Sequence, residues 1–366
     1  MKLFLDVMYD DTKNARKIKS CDYNNEGKYP IIDQSSKNVI GYTDEIDGLY
    51  KDVPVITFGD HTRRFKLVEE PFFIGADGTK VLKLCSSVYD YKFIYYYLLY
   101  KKIPNTGYNR HFKWIKELEF PEIPRSIQSD IVKKFEILNN LISSKNKLLE
   151  LFDILLKSRF VEMFGNPIIN DKKYPVFKLK DISRKIGSGV TPRGGDSNYI
   201  DKGVAFIRSM NVYNNTFKKE NLVYIDESLA KQFSQVELFS NDLLLNITGA
   251  SVARCCTVPE DILPARVNQH VCIIRQCRIS NVFLEYCLTN ESYQEYLLLL
   301  SNKNGATREA LTKTQVENLE VIVPRSTEIT RFVKIVHQIN KLKVDVQKSI
   351  DETQLLMDSL MQEYFG

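Results

Sequence analysis

The chain has 366 residues, of which 43% are hydrophobic and 27% are charged. This balance excludes disordered and fibrous proteins, and the length predicts two to three domains. The net charge of +5 permits an acidic partner without requiring one. No apolar run is long enough to span a bilayer, and Asp6 argues against a secretory signal. Seven cysteines without a Cys-x-x-Cys pair indicate reduced thiols, so we expect a cytoplasmic protein.

The first 122 residues predict a mixed α/β domain. Short apolar runs with the composition of β-strands lie at 29–32, 53–58, 72–74 and 81–84, separated by glycine-containing turns. A helix is expected over 88–101. We interpret residues 1–122 as one globular domain.

A segment in the middle of the chain returns at its end. Ile-Pro-Arg-Ser at 123–126 recurs as Val-Pro-Arg-Ser at 323–326, and Val-Glu-Met-Phe-Gly at 161–165 recurs as Gln-Glu-Tyr-Phe-Gly at 362–366. The displacement of about 200 residues is far larger than a solenoid unit. It therefore indicates duplication of a domain-sized module.

Each repeated segment, 123–167 and 323–366, predicts one long helix. Apolar residues recur at alternating three- and four-residue steps over about five heptads, which is typical of a coiled-coil seam. The predicted seam residues are Phe135, Leu138, Ile142, Leu149, Phe152, Leu156, Val336, Ile339, Val346, Ile350, Met357 and Leu360. Leu342 belongs to the same stripe, whereas Lys145 and Arg159 interrupt it.

The ends of the two segments also match. Ser126 and Ser326 are the expected N-caps, and Gly165 is the expected stop of the first helix. Such a helix is roughly 57 Å long. Because the two segments match at both ends, we expect an antiparallel coiled coil with the globular domains at opposite ends, related by a pseudo-two-fold axis. Two unrelated helices, each packed on its own domain, are the alternative.

Residues 168–322 predict a second mixed domain with a similar order of elements. Strands are expected at 205–208, 222–225, 243–247 and 270–275, followed by a helix over 282–300. The loop residues differ from those of the first domain. The sequence therefore predicts an α+β fold class in which one domain fold occurs twice and presents two different surfaces.

Motifs for catalysis and cofactor binding are missing from the sequence. There is no GxxxxGK[ST] phosphate loop and no Asn-Pro-Pro-Tyr/Phe tetrad for methylation of a flipped base. The glycine-rich stretch 187–195 contains Pro192 and does not open a helix, which argues against dinucleotide binding. The four histidines stand apart, and the cysteines lack zinc spacing. We therefore expect a non-catalytic chain without a metal or cofactor of its own.

Polar and basic residues gather in the loops at the strand ends, and their side chains suit nucleic acid. Arg, Asn and Gln can read base edges, while Lys, Ser, Thr and glycine backbone suit phosphates. The candidate DNA-binding residues are Arg63, Arg64, Lys80 and Arg110 in the first domain and Ser188, Thr191, Arg193, Arg208, Ser251, Arg254, Arg266, Asn268, Gln269 and Arg308 in the second; His61, His111 and Asn211 share their loops. The 248–254 loop is the strongest candidate, because its glycine lets a ligand approach the backbone. For any single residue, an ordinary solvated loop is the alternative.

This layout resembles the specificity subunit of type I restriction–modification systems over nearly the whole chain. Local matches are Gly-Ser-Gly-Val-Thr-Pro at 187–192, Thr-Gly-Ala-Ser at 248–251, Arg-Val-Asn-Gln-His at 266–270, Gly-Ala-Thr-Arg at 305–308 and Val-Glu-Met-Phe-Gly-Asn-Pro at 161–167. The family's helices usually begin with Glu-Gln-x-x-Ile. The first copy here keeps Gln128 and Ile131 but lacks the Glu, and the second keeps Glu328 but lacks the Gln. Residues 9–21 have no counterpart in the family, which leaves the DNA contacts of the first domain open.

The resemblance implies that each domain is a target recognition domain that reads one half of an asymmetric, bipartite DNA sequence. It also implies that the helices set the gap and dock two methyltransferase subunits carrying S-adenosylmethionine, and that a restriction/translocase subunit using ATP and Mg joins the complex. Two other readings stay open. One is the recognition subunit of a related fused restriction–methylation system, and the other is a coiled-coil scaffold whose two heads bind something other than DNA.

Overall fold

The computed structural model describes residues 1–75, 77–107, 109–275, 278–302 and 309–366. Within these ranges, no helix is both long and apolar enough to cross a membrane. The chain forms two compact units. Unit 1 comprises Met1–Lys147 and Val346–Gly366, and unit 2 comprises Leu148–Asp345.

Unit 1 is built from short strands and helices around two small sheets. Its elements are β1 (Lys2–Leu3), α1 (Phe4–Val7), β2 (Met8–Asp10), β3 (Tyr29–Ile32), β4 (Gly41–Thr43), β5 (Val55–Gly59), β6 (Phe65–Val68), β7 (Phe73–Ile74), β8 (Thr79–Leu84), α2 (Tyr91–Tyr100), α3 (Phe112–Lys116), β9 (Glu119–Phe120) and the first part of α4 (Arg125–Phe164). Strands β2-β8-β5-β6 form an antiparallel sheet, β4-β3-β7 form a second sheet, and β1 pairs with β9. In the second sheet β3 and β7 are parallel.

Unit 2 repeats this plan. Its elements after α4 are β10 (Val176–Lys178), α5 (Leu179–Ile182), β11 (Lys185–Ser188), β12 (Val204–Ile207), β13 (Val212–Tyr213), β14 (Thr216–Phe217), β15 (Val223–Ile225), α6 (Glu227–Gln232), β16 (Leu243–Asn246), β17 (Cys255–Thr257), β18 (Ala265–Val267), β19 (Val271–Arg275), α7 (Asn281–Leu288), α8 (Glu291–Asn302), α9 (Lys313–Glu317), β20 (Glu320–Ile322) and the first part of α10 (Ser326–Phe365).

The strand orders show that the two units share one topology. In unit 2 the sheets are β11-β19-β16-β17 and β15-β12-β18, with β10 paired to β20. The parallel pair recurs as β12 and β18. Each strand of unit 1 thus has a counterpart in the same place in unit 2, and the expectation of one fold occurring twice is confirmed. The β13–β14 hairpin is an addition that follows β12.

The central strand of each unit is covered on both faces, and the strand's two-residue period decides which core each side chain enters. In β5, Ile56 and Phe58 join the helix-facing core, while Val55 joins the core of the second sheet. In β16, Leu243 and Leu245 face the helices, whereas Leu244 faces the second sheet. This explains why these strands read as continuous apolar runs.

In unit 1, the beginning of α4 packs antiparallel against the end of α10. The Phe135 ring is fully buried and stacks on Phe365 with 6.0 Å between ring centroids. Tyr364 meets Phe135 edge-on at 6.2 Å. The Lys134 ammonium donates a hydrogen bond to the Tyr364 hydroxyl at 2.6 Å. The last turns of the chain therefore complete the core of the first domain.

In unit 2, the end of α4 packs antiparallel against the beginning of α10. The rings of Phe160 and Phe164 meet Phe332 at 5.6 and 5.5 Å between centroids. Farther along, the Lys343 ammonium pairs with the Asp153 carboxylate at 2.7 Å. Both halves of the helix pair thus confirm the antiparallel coiled coil expected from the repeat.

The middle of the seam differs from the predicted apolar stripe. Leu342 is 50% exposed, so its assignment to the seam was wrong. Lys145, which interrupts the apolar stripe in the sequence, lies in the seam and donates hydrogen bonds to the hydroxyls of Ser349 (2.6 Å) and Thr353 (3.2 Å). The facing residues are small and polar, so the lysine stem packs while its ammonium is satisfied.

The helix starts also differ from expectation. The first long helix begins at Arg125, so Ser126 lies inside its first turn, and Ser326 is the first residue of the second. In the second helix the Glu328 carboxylate accepts a hydrogen bond from the Arg325 N–H at 3.2 Å, so this acid caps the helix in place of the serine.

The predicted stop of the first helix is confirmed. Gly165 has φ of +72°, and its N–H donates to the Val161 carbonyl at 2.8 Å. A Cβ on Gly165 would lie 2.2 Å from the Asp171 carboxylate. Both the left-handed backbone and the close approach therefore require glycine.

The helix predicted over 282–300 is two helices. The break falls between α7 and α8, where the Asn290 side chain accepts hydrogen bonds from the N–H and the hydroxyl of Ser292 at 3.2 and 2.8 Å. Asparagine satisfies free N–H groups at a helix start better than it fits a helix interior. The chain therefore restarts at α8.

The aromatic seam of unit 1 gives a stability prediction. Phe135→Ala should lower the free energy of unfolding by about 3–5 kcal/mol, because it removes a fully buried ring. Ile137→Ala is the matched control, since Ile137 is on the same helix and 65% exposed. Urea unfolding of the full chain measures both, and equal losses in the two variants would contradict the proposed packing.

Candidate nucleic-acid interface

The turn between β16 and β17 lies at the centre of the candidate interface of unit 2. The Asn246 N–H donates to the Arg254 carbonyl at 2.8 Å, and the Ala253 N–H donates to the Asn246 carbonyl at 2.9 Å. Ala253 and Gly249 both have φ of +72°. These left-handed residues close the turn and bring Ser251 and Arg254 to the end of the sheet.

A cavity of about 520 Å³ opens beside this turn. It is lined by Ser209, Met210, Tyr213, Thr248, Gly249, Ala250, Ser251, Arg254, His270, Glu309 and Ala310. The Arg254 guanidinium lies 4.4 Å from the centroid of the Tyr213 ring, and the Lys218 ammonium lies 4.1 Å from it. Stacking on the ring holds the long arginine in place before any ligand binds. The cavity thus offers the Arg254 cation, hydroxyls and an imidazole to a polar ligand, with Glu309 the carboxylate in its lining and the Lys218 cation beside it on the Tyr213 ring.

Two buried asparagines hold the loops around this cavity. The Asn246 amide donates to the Ser209 carbonyl at 2.8 Å. The Asn211 amide donates to the Lys218 carbonyl at 3.0 Å, and its oxygen accepts from the Arg208 N–H at 3.0 Å. Both side chains are fully buried. Asn211, read from sequence as a loop residue that could face a ligand, therefore supports the loop from inside.

A buried carboxylate lies behind the same loops. Glu285 of α7 accepts hydrogen bonds from the Thr257 N–H at 2.8 Å and from the Asn215 amide at 3.3 Å. Burial raises the pKa of Glu285 to about 7, and the hydrogen bonds from Thr257 and Asn215 oppose this rise only in part. The acid joins α7 to β17 and to the turn of the β13–β14 hairpin that carries Tyr213.

The segment between β18 and β19 adds a hydrogen-bonded row of side chains. The Thr248 hydroxyl lies 2.6 Å from His270 Nδ1, and Gln269 Nε2 lies 3.1 Å from His270 Nε2. Gln269 is exposed, and this row limits the positions of its amide. Asn268, by contrast, is buried and accepts the His270 N–H at 3.1 Å.

Arg266 and Arg208 have partners within unit 2. Arg266 is 6% exposed, donates to the Ala230 carbonyl at 3.0 Å and pairs with Glu237 at 3.3 Å. Arg208 donates to the Asn221 carbonyl at 2.8 Å. Arg266 and Asn268 are both buried, so neither presents its side chain on the surface that a ligand would meet.

The segment after β11 lies against the same edge. A Cβ on Gly189 would lie 2.0 Å from the Val267 carbonyl oxygen, so the glycine permits a close backbone approach. Arg193 is exposed on this segment and Thr191 is half-buried, while Ser188, the last residue of β11, is exposed. Arg308 and the rest of the Gly-Ala-Thr-Arg motif lie outside the described residues.

Unit 1 presents a cavity at the corresponding turn, between β5 and β6. It measures about 650 Å³ and is lined by Ser35, Ser36, Asn38, Thr62, Arg63, Arg64, Phe65, Lys66, Tyr95, Leu98, Leu99, Lys101, Lys102 and Ile103. Lys66 is buried and donates to the Asp33 carbonyl at 2.6 Å, so its charge is used internally. Arg64 and Lys102 are exposed. The sequence had indicated Arg63 and Arg64 but not the two lysines at the end of α2.

The other candidates in unit 1 are placed as follows. Arg110 is exposed. Lys80 pairs with Asp10 at 2.9 Å. His111 is fully buried and its Nδ1 lies 2.8 Å from the Asp60 carbonyl, so it holds the turn rather than facing a ligand. Of these three residues, only Arg110 is exposed, and it lies between α2 and α3.

Sequence reasoning missed Tyr213, Lys218, Lys101 and Lys102. Tyr213 sits on a two-residue strand and Lys101 at a helix end, where sequence alone shows no ligand signal. Their importance follows from contacts with residues distant in sequence.

A metal-binding group or a reactive thiol is another kind of site that the described part of the chain could contain. No group of His, Cys, Asp and Glu side chains there could hold a metal ion. Burial raises the pKa of Cys272 to about 12 and raises that of Cys255 as well. These thiols are packing groups.

Comparison with known proteins assigns the family. The family model described as the type I restriction modification DNA specificity domain matches residues 171–353, half of the chain. The chain therefore belongs to this family of DNA specificity proteins. It is 19% identical over 346 residues to an Escherichia coli type I restriction enzyme specificity subunit, covering 91% of this chain and 84% of that protein.

Solved structures show the same fold. The S subunit of a type I restriction–modification system from M. genitalium matches with a TM-score of 0.60 and 15% identity, covering 100% of this chain and 95% of that one. A chain from a study of complex assembly and conformational transition of the type I system matches with a TM-score of 0.55 and 16% identity, covering 92% and 91%. The two-domain, coiled-coil fold class predicted from sequence is thus confirmed.

The buried Glu285 predicts a pH-dependent stability. Its pKa is raised in the folded state, so folding opposes ionisation, and stability is lost as pH rises from the ordinary glutamate value toward 7. Glu285→Gln should remove this loss, because glutamine does not ionise. Between pH 5 and pH 8 the free energy of unfolding should therefore fall by about 2–3 kcal/mol less in the variant than in the wild type. Urea unfolding at both pH values measures it, and parallel pH profiles for the two proteins would refute the assignment.

Proposed function

We propose that this chain is the DNA-recognition subunit of a type I restriction–modification complex and that each unit contributes one reader of a bipartite target. The main support is the duplicated topology: the same strands carry different loop residues around a polar cavity in each unit. Two different surfaces on one fold suit two different half-sites, so the target should be asymmetric.

We propose the following division of the chain. The readers are residues 1–122 and 168–322, and the spacer helices are 123–167 and 323–366. The candidate contacts that remain exposed or half-buried are Arg63, Arg64, Lys80, Arg110, Ser188, Thr191, Arg193, Arg208, Ser251, Arg254 and Gln269. Loops at strand ends can enter a groove, where Arg and Gln read base edges and hydroxyls contact phosphates.

We infer that the long helices dock two methyltransferase subunits. Large apolar side chains on these helices are exposed, among them Ile137 (65%), Ile154 (58%) and Leu355 (71%). Exposed apolar surface on a regular helix pair is suited to a protein partner. The partners would supply S-adenosylmethionine, and a restriction/translocase subunit would supply ATP and Mg chemistry, all in the cytoplasm. On this proposal the chain itself recognises DNA and does not catalyse.

Exchange of one reader tests the proposal. Replacing residues 168–322 with the corresponding block of a relative should change one half of the methylated sequence and leave the other half intact, because each unit has its own core and loops. Mapping of methylated bases in cells carrying the chimera reads the outcome. Two changed halves, or an altered gap alone, would contradict one reader per unit, and absence of salt-sensitive DNA binding would favour a scaffold instead.

Shortening the helices tests their role as a spacer. Deleting one heptad from each long helix keeps the seam in phase and removes about 10 Å of rise, equal to roughly three base pairs. The preferred gap should shorten by about that amount. A deletion of four residues from one helix alone is the control that should break the seam and abolish assembly. An unchanged gap in the heptad variant would show that the helices do not set it.

A further inference from the structure

Arg64 and Arg254 occupy the same structural position in the two units. In unit 1, the Gly59 N–H donates to the Arg64 carbonyl at 2.8 Å and the Arg63 N–H donates to the Gly59 carbonyl at 2.7 Å. This is the pattern that Asn246, Ala253 and Arg254 form in unit 2. Arg63 has φ of +60°, matching the left-handed Ala253. In both turns, then, an arginine follows a left-handed residue at the start of the same strand.

The residues at the equivalent positions around this arginine differ between the two units. The Asp60 N–H donates to the Gly78 carbonyl at 2.7 Å, as the Ile247 N–H does to the His270 carbonyl at 3.0 Å. Gly78 therefore corresponds to His270, and the residues before them are Asp77 in unit 1 and Gln269 in unit 2.

The second sheet gives a further comparison. The Gly75 N–H donates to the Ile32 carbonyl at 2.8 Å, as the Asn268 N–H does to the Ile207 carbonyl at 3.0 Å. The next residues along these strands are Asp33 in unit 1 and Arg208 in unit 2. The acidic Asp33 of unit 1 thus occupies the position that the basic Arg208 holds in unit 2, whereas the arginine of the turn is the same in both units.

From this contrast we propose that Arg64 and Arg254 are sequence-independent DNA phosphate contacts, one in each reader, and that the differing residues around them read the bases. Two half-sites differ in their base edges but present the same phosphate backbone. A side chain shared by two readers of different sequences therefore matches the shared feature of the DNA. The inference rests on the proposed DNA-recognition function.

The surroundings of both arginines suit an anion. Arg254 shares the Tyr213 ring with Lys218, and Arg64 lines its cavity with Lys101 and Lys102. Among the described residues, neither arginine forms an ion pair with a carboxylate. Their charges are therefore available to a phosphate, in contrast to Arg266, which pairs with Glu237.

The test uses the full chain assembled with its methyltransferase subunits and measures affinity for target and unrelated DNA over a series of salt concentrations. Arg254→Ala and Arg64→Ala should each weaken binding to both DNAs by the same factor, about sixfold at 0.15 M salt, and reduce the log–log salt slope by about one. Arg64→Lys should restore most of the affinity, because a phosphate contact needs charge and this site, unlike that of Arg254 on the Tyr213 ring, does not depend on stacking. Lys202→Ala is the control, because Lys202 is exposed at the opposite end of β12.

A neutral methylphosphonate placed at single backbone positions locates the contact. At one position in a half-site, the methylphosphonate should lower the DNA affinity of the wild-type complex but not that of the Arg254→Ala complex. At one position in the other half-site, it should lower the affinity of the wild type but not that of Arg64→Ala. Loss of discrimination at one base pair with an unchanged salt slope, and no rescue by lysine, would overturn the inference by assigning base reading to these arginines. Unchanged affinity in folded alanine variants would also overturn it. A wild-type complex without sequence-specific DNA binding would instead defeat the proposed function.

Discussion

The antiparallel packing of the two long helices is the interaction on which the rest of the structure depends. The core of unit 1 is closed by aromatic residues from the last turns of the chain, among them Phe365 on Phe135. The core of unit 2 is closed in the same way by Phe332 against the rings at the end of α4. Unit 1 is therefore discontinuous in sequence, because its core needs the last turns of the chain, whereas unit 2 is one continuous segment that includes the end of α4 and the start of α10.

Antiparallel pairing also explains why both halves of the repeat are necessary. A helix that leaves one domain must bury its apolar stripe along its whole length, and the second copy supplies the matching stripe. The polar contacts in the middle of the seam add a constraint of a different kind. The lysine ammonium groups of Lys145 and Lys343 find specific partners in Ser349 and Asp153, so a shift of one helix along the other would leave them unsatisfied. These contacts favour a single register.

The loops at the strand ends are held by buried polar groups as well as by buried apolar residues such as Val252 and Ala253. Asn211, Asn246 and Glu285 each satisfy backbone groups of segments that bear candidate DNA contacts. Such an arrangement separates the two tasks of a recognition domain. The buried groups fix the backbone of the loops, and the exposed side chains are free to differ, as they do between the two units. This separation lets one fold serve for two different surfaces.

The sequence alone determined the features that depend on residues close together in the chain. The strand and helix assignments and the glycine stop at Gly165 follow from local pattern, and most were confirmed. The duplication follows from comparing two stretches of the same sequence, without any knowledge of the fold. Local pattern could not separate Arg254 from Arg266, because burial of Arg266 depends on Ala230 and Glu237, which the fold brings from elsewhere. It also could not align Arg64 with Arg254. Loops of different length precede the two arginines, so the number of residues between them differs from the spacing of the helix repeat. Tertiary structure decided these points, because hydrogen-bond register, and not sequence spacing, determines which residues share a position.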